Sequence, residues 1–289
     1  MDYVYYVLVT LAIYIVLAIS LNLLVGYVGL LSLSHAAFYG AGAYATALFM
    51  MRFNLNFIVS LIAAFVVTSV IGTVVAAPML RLRGDYFILG TFGFQIIAFD
   101  IMRNWDDVTG GVFGLYGVPH PKFGEIAINP GLAYVVLGAI LTGVAILIFW
   151  RTANSPFGRV LKAIRDDEVV ARSLGKNTAT FKVLAFGLSA GVAAISGALL
   201  AGYIVYLDPS LFTVAGSILI LTMVVVGGSG NLVGPVAGAV VLTVVPEALR
   251  FAGLPSQVAG PAQQTVYGLL VIAIMFLRPQ GILGEFQMR

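Results

Sequence analysis

Residues 131–150 read GLAYVVLGAILTGVAILIFW, twenty positions without a charged side chain. At about 1.5 Å of rise per residue, a helix of that length measures about 30 Å, the thickness of a bilayer's hydrocarbon core. From Val135 to Trp150 the apolar residues do not alternate with polar ones, as they would in the strands of a membrane barrel. The stretch reads as a transmembrane helix, and its surroundings read in the same solvent.

The charged residues say so. Of 289 residues 61% are hydrophobic and 9% charged, 15 basic and 12 acidic. A soluble domain carries about 25% charged residues to coat its surface. The composition therefore excludes the soluble two-domain protein that length alone suggests. No Asp, Glu, Lys or Arg occurs between Asp2 and Arg52, between Arg52 and Arg81, or between Asp208 and Glu247. The apolar run from Tyr3 follows an acidic Asp2 and never shortens, so it is expected to be a retained span rather than a signal peptide. The chain has no cysteine, which excludes disulfides and thiolate metal sites. The net charge of +3 reflects one basic segment, not a nucleic-acid-binding face.

Nine spans are expected, at about 3–25, 28–51, 57–80, 86–102, 131–150, 180–206, 210–228, 232–249 and 263–277. The fold class is all-α: one polytopic transmembrane bundle of about 8–10 spans, with Gly-broken segments, covering 1–289 as a single domain. The basic loop at about 151–179 belongs in the cytoplasm by the positive-inside rule. Arg151, Arg159, Lys162, Arg165, Arg172 and Lys176 lie in it, and counting spans adds Arg81, Arg83, Lys182, Arg278 and Arg289 to that side. Arg52, Arg103, Lys122 and Arg250 fall outside, with the N-terminus and a loop at about 103–130.

The basic loop reads as two short helices. Phe157, Val160, Leu161 and Ile164 keep helical spacing. Asp166, Asp167 and Glu168 suit the start of a second helix through capping and the macrodipole, and Gly175 is placed to end it. These residues alone fit a solvated connector as well as a docking helix.

The ordered set of motifs resembles a family. Val169-Val170-Ala171, with Gly175 four residues on, looks like a degenerate form of the Glu-Ala-Ala-x-x-x-Gly motif of ABC-importer permeases. Ser155-Pro156-Phe157-Gly158-Arg159 through Asp166-Asp167-Glu168 to Leu174-Gly175 is similar to the permeases of branched-chain amino-acid ABC importers. So are Gly29-Leu30-Leu31-Ser32-Leu33-Ser34-His35, Thr109-Gly110-Gly111, Gly227-Gly228-Ser229-Gly230-Asn231 and the tail Arg278-Pro279-Gln280-Gly281. Leu82-Arg83-Gly84-Asp85-Tyr86-Phe87 and the Trp105-x-x-x-Thr109-Gly110-Gly111 block resemble the M-type subunit. The resemblance implies a second homologous permease, two ATPase subunits, an external substrate-binding protein and an amino-acid substrate. It also implies a bacterial cytoplasmic membrane and no cofactor on this chain, ATP and Mg being held by the ATPases. It implies ATPase coupling through Arg165, Asp166, Asp167, Glu168, Ala171 and Gly175.

Polar or Gly-rich sequence at membrane depth is retained where it is buried in protein or lines a cavity. Residues 26–46 and 227–238 are both of this kind and lie in opposite halves of the chain. Gly29, Ser32, Ser34, His35, Tyr44, Gly228 and Asn231, with Asp85, Thr91 and Gln95 of the fourth span, are the expected translocation path. Close helix packing is the competing explanation for the glycines. Trp105, Thr109, Gly110 and Gly111 are the expected docking point for the binding protein, with Thr109–Gly111 forming a turn. Asp100 is expected to pair with Arg103.

There is no Gly-x-x-x-x-Gly-Lys-Ser/Thr loop, and Gly175-Lys176-Asn177 lacks the upstream Gly and the hydroxyl. No nucleophile–base pair or metal cluster supports an enzyme. A secondary transporter or channel would need carboxylates at mid-membrane, whereas Asp85 and Asp100 sit near span ends. A urea or amide importer of the same family is the nearest alternative.

Overall fold

The computed structural model describes residues 2–82, 84–123, 126–251, 256–278 and 280–284. Arg83, Pro279 and Arg289, which enter the sequence reading, lie outside them. Among the described residues, nine helices correspond to the nine expected spans: α1 (Asp2–Asn22, extended by a π-helical turn Leu23–Val28), α2 (His35–Arg52), α3 (Phe57–Met79), α4 (Asp85–Asn104), α6 (Leu132–Asn154), α9 (Thr178–Tyr203), α10 (Val214–Gly227), α11 (Val233–Phe251) and α12 (Ser256–Leu277). Three short helices, α5 (Asp106–Thr109), α7 (Pro156–Asp166) and α8 (Glu168–Ser173), lie in the connections. Among the described residues, α1 with its π turn, α3, α4, α6 and α9 are long and apolar enough to cross a membrane by length and composition. The chain is a multi-pass membrane protein.

The bundle is built from inside outward. α9 is its axis, with every residue from Ser189 to Leu199 buried. Against it α2 places Gly42 on Ala194, and Gly197 of α9 faces the Tyr39 carbonyl and the Ala43 nitrogen. α3 crosses with Gly72 on Ala190, and Gly187 and Gly191 face Ser69. Small residues let these backbones approach, and in lipid packing and not water exclusion drives helix association. The outer helices show lipid rows of β-branched residues, such as Ile62, Val66, Val70 and Val74 on α3 and Val136, Ile140 and Val144 on α6.

These contacts also fix direction. His35 meets Ser189 and Gly42 meets Ala194, so α2 and α9 run parallel. Gly191 faces Phe65 while Gly187 faces Thr73, so α3 runs against α9. Ala12 meets Gly138 and Tyr27 meets Phe149, so α1 and α6 run parallel. Odd and even spans therefore cross in opposite senses. Among the described residues, 80–82 and 155–177 share one end, here the basic end, and 53–56, 105–123 and 204–213 share the other.

Three expectations need correction. The second span does not run from 28: residues 29–34 are non-helical and α2 begins at His35. Gly29 adopts φ 78° and ends the π turn, and the Ser32 and Ser34 hydroxyls bond to each other at 2.8 Å. The seventh span begins at Val214, because Pro209–Phe212 is a 3₁₀ turn capped by Asp208. The Asp100–Arg103 pair does not form; Asp100 uses its carbonyl to accept from the Asn104 amide at 2.8 Å. The described residues of 103–130 include short strands. Strand β1 (Leu115–Tyr116) pairs antiparallel with β4 (Tyr206–Leu207) from the next connection on that end, and β2 (Lys122–Phe123) pairs with β3 (Ile126–Ala127).

Candidate functional site

Two helices do stand in the basic loop. Ser155 caps α7 by accepting from the Gly158 nitrogen at 3.2 Å, with Pro156 at the first helical position. α7 is strongly two-faced. Leu161 and Ile164 are buried, and Phe157 stacks on Phe181 with ring centroids 5.4 Å apart. Asp167 is the residue that caps α8, accepting from Val169 and Val170 at 2.8 and 3.0 Å. At the other end Gly175, at φ 77°, donates to the Arg172 carbonyl and Lys176 to the Ala171 carbonyl, a Schellman termination. α8 is therefore closed at both ends although it has only six residues.

This pair of helices is fastened to the bundle at two points. Arg165 donates to the Gly26 carbonyl in the π turn at 2.7 Å and pairs with Asp166 at 2.8 Å. Lys162 lies over the Tyr27 ring at 4.9 Å, and a side chain at Gly29 would press on Arg165. The second point is Glu168. Its carboxylate accepts from Lys182 at 2.6 Å, from Thr178 at 2.9 Å and from Arg172 at 2.7 Å. Partial burial alone would raise the Glu168 carboxyl. The hydrogen bonds from Lys182, Thr178 and Arg172, with the Lys182 charge, bring it down to about 2.

The sign of that shift gives a prediction. A carboxyl depressed in the folded state contributes stability above its ordinary value of 4.5, and the contribution is lost as pH falls through about 2. A ¹³C-labelled Glu168 should titrate near pH 2. A midpoint near 4.5 would show that α9 does not hold it.

The outward side of α8 and its C-cap carries three apolar side chains beside Arg172 and Ser173. Val169 and Leu174 are each 73% exposed and Val170 54%, while Ala171 is buried against the bundle. Glu168 is thus turned inward as an anchor, Asp167 is a cap, Asp166 is exposed beside Arg165, and Gly175 is the terminator.

The expected path residues divide into two groups. The first surrounds the start of α2. Leu33 donates to the Thr91 hydroxyl at 3.1 Å, Ala36 to the Ser217 hydroxyl at 2.9 Å and Ala37 to the Gln95 carbonyl oxygen at 2.8 Å. Gln95 also accepts from Ser217 and donates to the Phe212 carbonyl, each at 2.9 Å. Those side chains supply acceptors for the amides that every helix N-terminus leaves unpaired. Ser189 donates to the Ser20 carbonyl, so its oxygen accepts from His35 Nε2 at 3.1 Å. A polar seam thereby joins α1, α2, α4, α9 and α10 inside the bundle.

The second group is at the basic end, where the two broken segments meet. Asn22, wholly buried, donates to the Asn231 carbonyl at 2.6 Å and accepts from the Gly230 nitrogen at 3.1 Å. A Cβ on Gly26 would overlap the Gly230 backbone. The chain's tail closes the junction: Ile282 and Leu283 donate to the Val226 and Gly227 carbonyls at 3.0 Å, and Gly228 lies on Gly281 and Gly284. The Asn231 amide donates to the Leu283 carbonyl.

Three expected residues join neither group. Asp85 is exposed at the start of α4. Tyr44 is buried against Phe212, with a hydroxyl that has no hydrogen-bond partner among the described residues. Gly29 sits between the π turn and Arg165. On the opposite end, Thr109 and Gly111 are buried in the turn, with Gly110 at φ 75° and the Thr109 hydroxyl bonded to the Trp105 carbonyl at 2.7 Å. The exposed apolar side chains there include Trp105, Val112, Phe113 and Tyr116, the last stacked on Tyr206 at 4.3 Å.

Asn22, Ser189 and Ser217 escaped the sequence reading. Each is a polar side chain inside an apolar helix, a signal of a required partner at membrane depth.

The chain matches the family model described as "Branched-chain amino acid transport system / permease component" over residues 3–277. It is 33% identical, over 94% of its length and 68% of the relative's, to the high-affinity branched-chain amino acid transport system permease protein LivM of Salmonella typhimurium, and equally so to that of Escherichia coli. It is 27% identical to the permease protein LivH of Escherichia coli, over 94% of this chain and 91% of the relative. No solved structure matches it.

Proposed function

Since the chain belongs to the family of branched-chain amino acid transport system permease components, we propose that it is the M-type permease of an ABC importer in a bacterial cytoplasmic membrane. Its relatives named LivM and LivH support a second, homologous permease as partner. Two ATPase subunits would dock at the basic, cytoplasmic end, and a binding protein would deliver leucine, isoleucine or valine on the other. The chain itself binds no nucleotide in this reading.

The observation that carries it is the apolar face of Val169, Val170 and Leu174 on a helix capped at both ends and anchored at two points. A stiff element with an uncovered apolar face can receive a push without yielding. Glu168 and Lys182 would pass the push to α9, and Arg165 to the π turn. α9 carries Ser189, so its displacement reaches the polar seam and tilts α2 against α4 and α10. The two packed arrangements of that seam would correspond to the two access states of the path.

The test is reconstitution in proteoliposomes with the ATPases, the second permease and the binding protein. ATP-dependent uptake of labelled leucine, isoleucine or valine is expected, with urea as the comparison solute. Uptake of urea instead would change the substrate class. Uptake by the chain without any ATPase would overturn the reading.

A further inference from the structure

The junction of Gly26, Gly230 and the tail is more than a packing contact. We propose that it is the cytoplasmic gate of the path, with Asn22 as the residue that holds it and Arg165 as the residue that opens it. The inference rests on the transport reading above and deepens it.

Four observations lead there. The junction sits at the end of the bundle that carries α7 and α8, where any inward route has to emerge. Its surfaces are largely main chain: Gly26 faces Gly230, and Gly228 faces Gly281 and Gly284. Packed cores hold to one of two discrete arrangements. A glycine surface lacks those knobs and separates by breaking the few hydrogen bonds across it. The π turn is held by the Asn22 amide, and the tail by the Asn231 amide together with the main-chain bonds of Ile282 and Leu283. The state seen is closed, with Ser229 only 1% exposed and its hydroxyl without a hydrogen-bond partner among the described residues.

The fourth observation is the link to the motor. Gly26 is the residue whose carbonyl Arg165 holds, and it lies four residues from Asn22 in the π turn. π turns inside helices recur at functional sites. A displacement of α7 pulls on Gly26 directly, and Gly26 is one wall of the junction. The gate and its handle are therefore the same backbone segment.

The natural chain has no cysteine, so a single thiol reports cleanly. Ser229→Cys in the full complex, in inside-out vesicles, is treated with a membrane-impermeant maleimide, and the label is read on this chain. Labelling is expected to quicken by about tenfold under ATP hydrolysis compared with no nucleotide. Equal labelling in both conditions, in vesicles that still release lumen-loaded substrate on ATP addition, would overturn the gate and leave the transport reading intact. Absence of ATP-dependent release would instead count against the transport reading. Adding Arg165→Ala should abolish the ATP-dependent change while hydrolysis continues; a persisting change would remove Arg165 from the mechanism. Should that variant fail to assemble, Asn22→Ala decides, since fast labelling without nucleotide is expected and protected Ser229→Cys would refute the holding role.

Discussion

Gly42→Leu is expected to remove the folded protein from the membrane, with yield of monodisperse material falling about tenfold or more. The physical cause is backbone contact. A Cβ at position 42 would overlap Ala194, and Gly197, one turn along α9, already lies against the Tyr39 carbonyl. Overfilling a packed core costs about 1–3 kcal/mol when side chains can shift, and every 1.4 kcal/mol is about tenfold. Here the obstacle is main chain of the buried axis, which has nowhere to move. Gly93→Leu is the control, because nothing lies near that position. Comparable yields of the two variants by size-exclusion chromatography would mean that α2 and α9 do not meet as described.

Coupling should be lost in two distinguishable ways at α8. Val170→Asp puts a charge on the exposed apolar face, where nothing else in the chain needs it apolar. The chain should fold, but the ATPases should no longer co-purify, and ATP-driven uptake should fall by about tenfold or more, given about 2–5 kcal/mol for an unpaired charge in an interface. Glu168→Arg leaves that face intact and turns the anchor into a repulsion with Lys182 and Arg172. The ATPases should then still co-purify while hydrolysis no longer drives uptake. Glu168→Gln keeps one acceptor oxygen, enough for Thr178 or Lys182 but not both, and introduces no repulsive charge, so it should be milder. If Glu168→Arg loses the ATPases as Val170→Asp does, Glu168 is part of the docking face after all.

The number of helices and the two-helix basic loop were legible because lipid and capping impose local patterns. A twenty-residue apolar run and an Asp167…Gly175 frame announce themselves without any partner. The site was legible only as a set of residue types. That Gln95 serves α2 and that Glu168 faces inward depend on which helices become neighbours, which no local pattern encodes. Glu168 is the instructive case. An acidic residue at the head of an exposed helix suggests an outward contact, but Lys182 stands one helix away to receive it, fourteen residues along the chain. Asn22 shows the converse. One amide in an otherwise apolar span already called for a partner, yet the partner lies 209 residues away.

α2 has a consequence for how the protein is made. It falls short of the apolarity of the five long spans and is wrapped by protein in the finished bundle, with α9 as its main neighbour. α2 ends at Arg52 and α9 begins at Thr178. At about 5–20 residues per second, a ribosome needs roughly ten seconds to cover that interval. During it α2 has to remain in or beside the bilayer without the surface that will shelter its His35. Biogenesis of this chain therefore has a built-in waiting period, and a nascent chain arrested before residue 178 should expose α2 to insertases, chaperones and membrane proteases that never see it again.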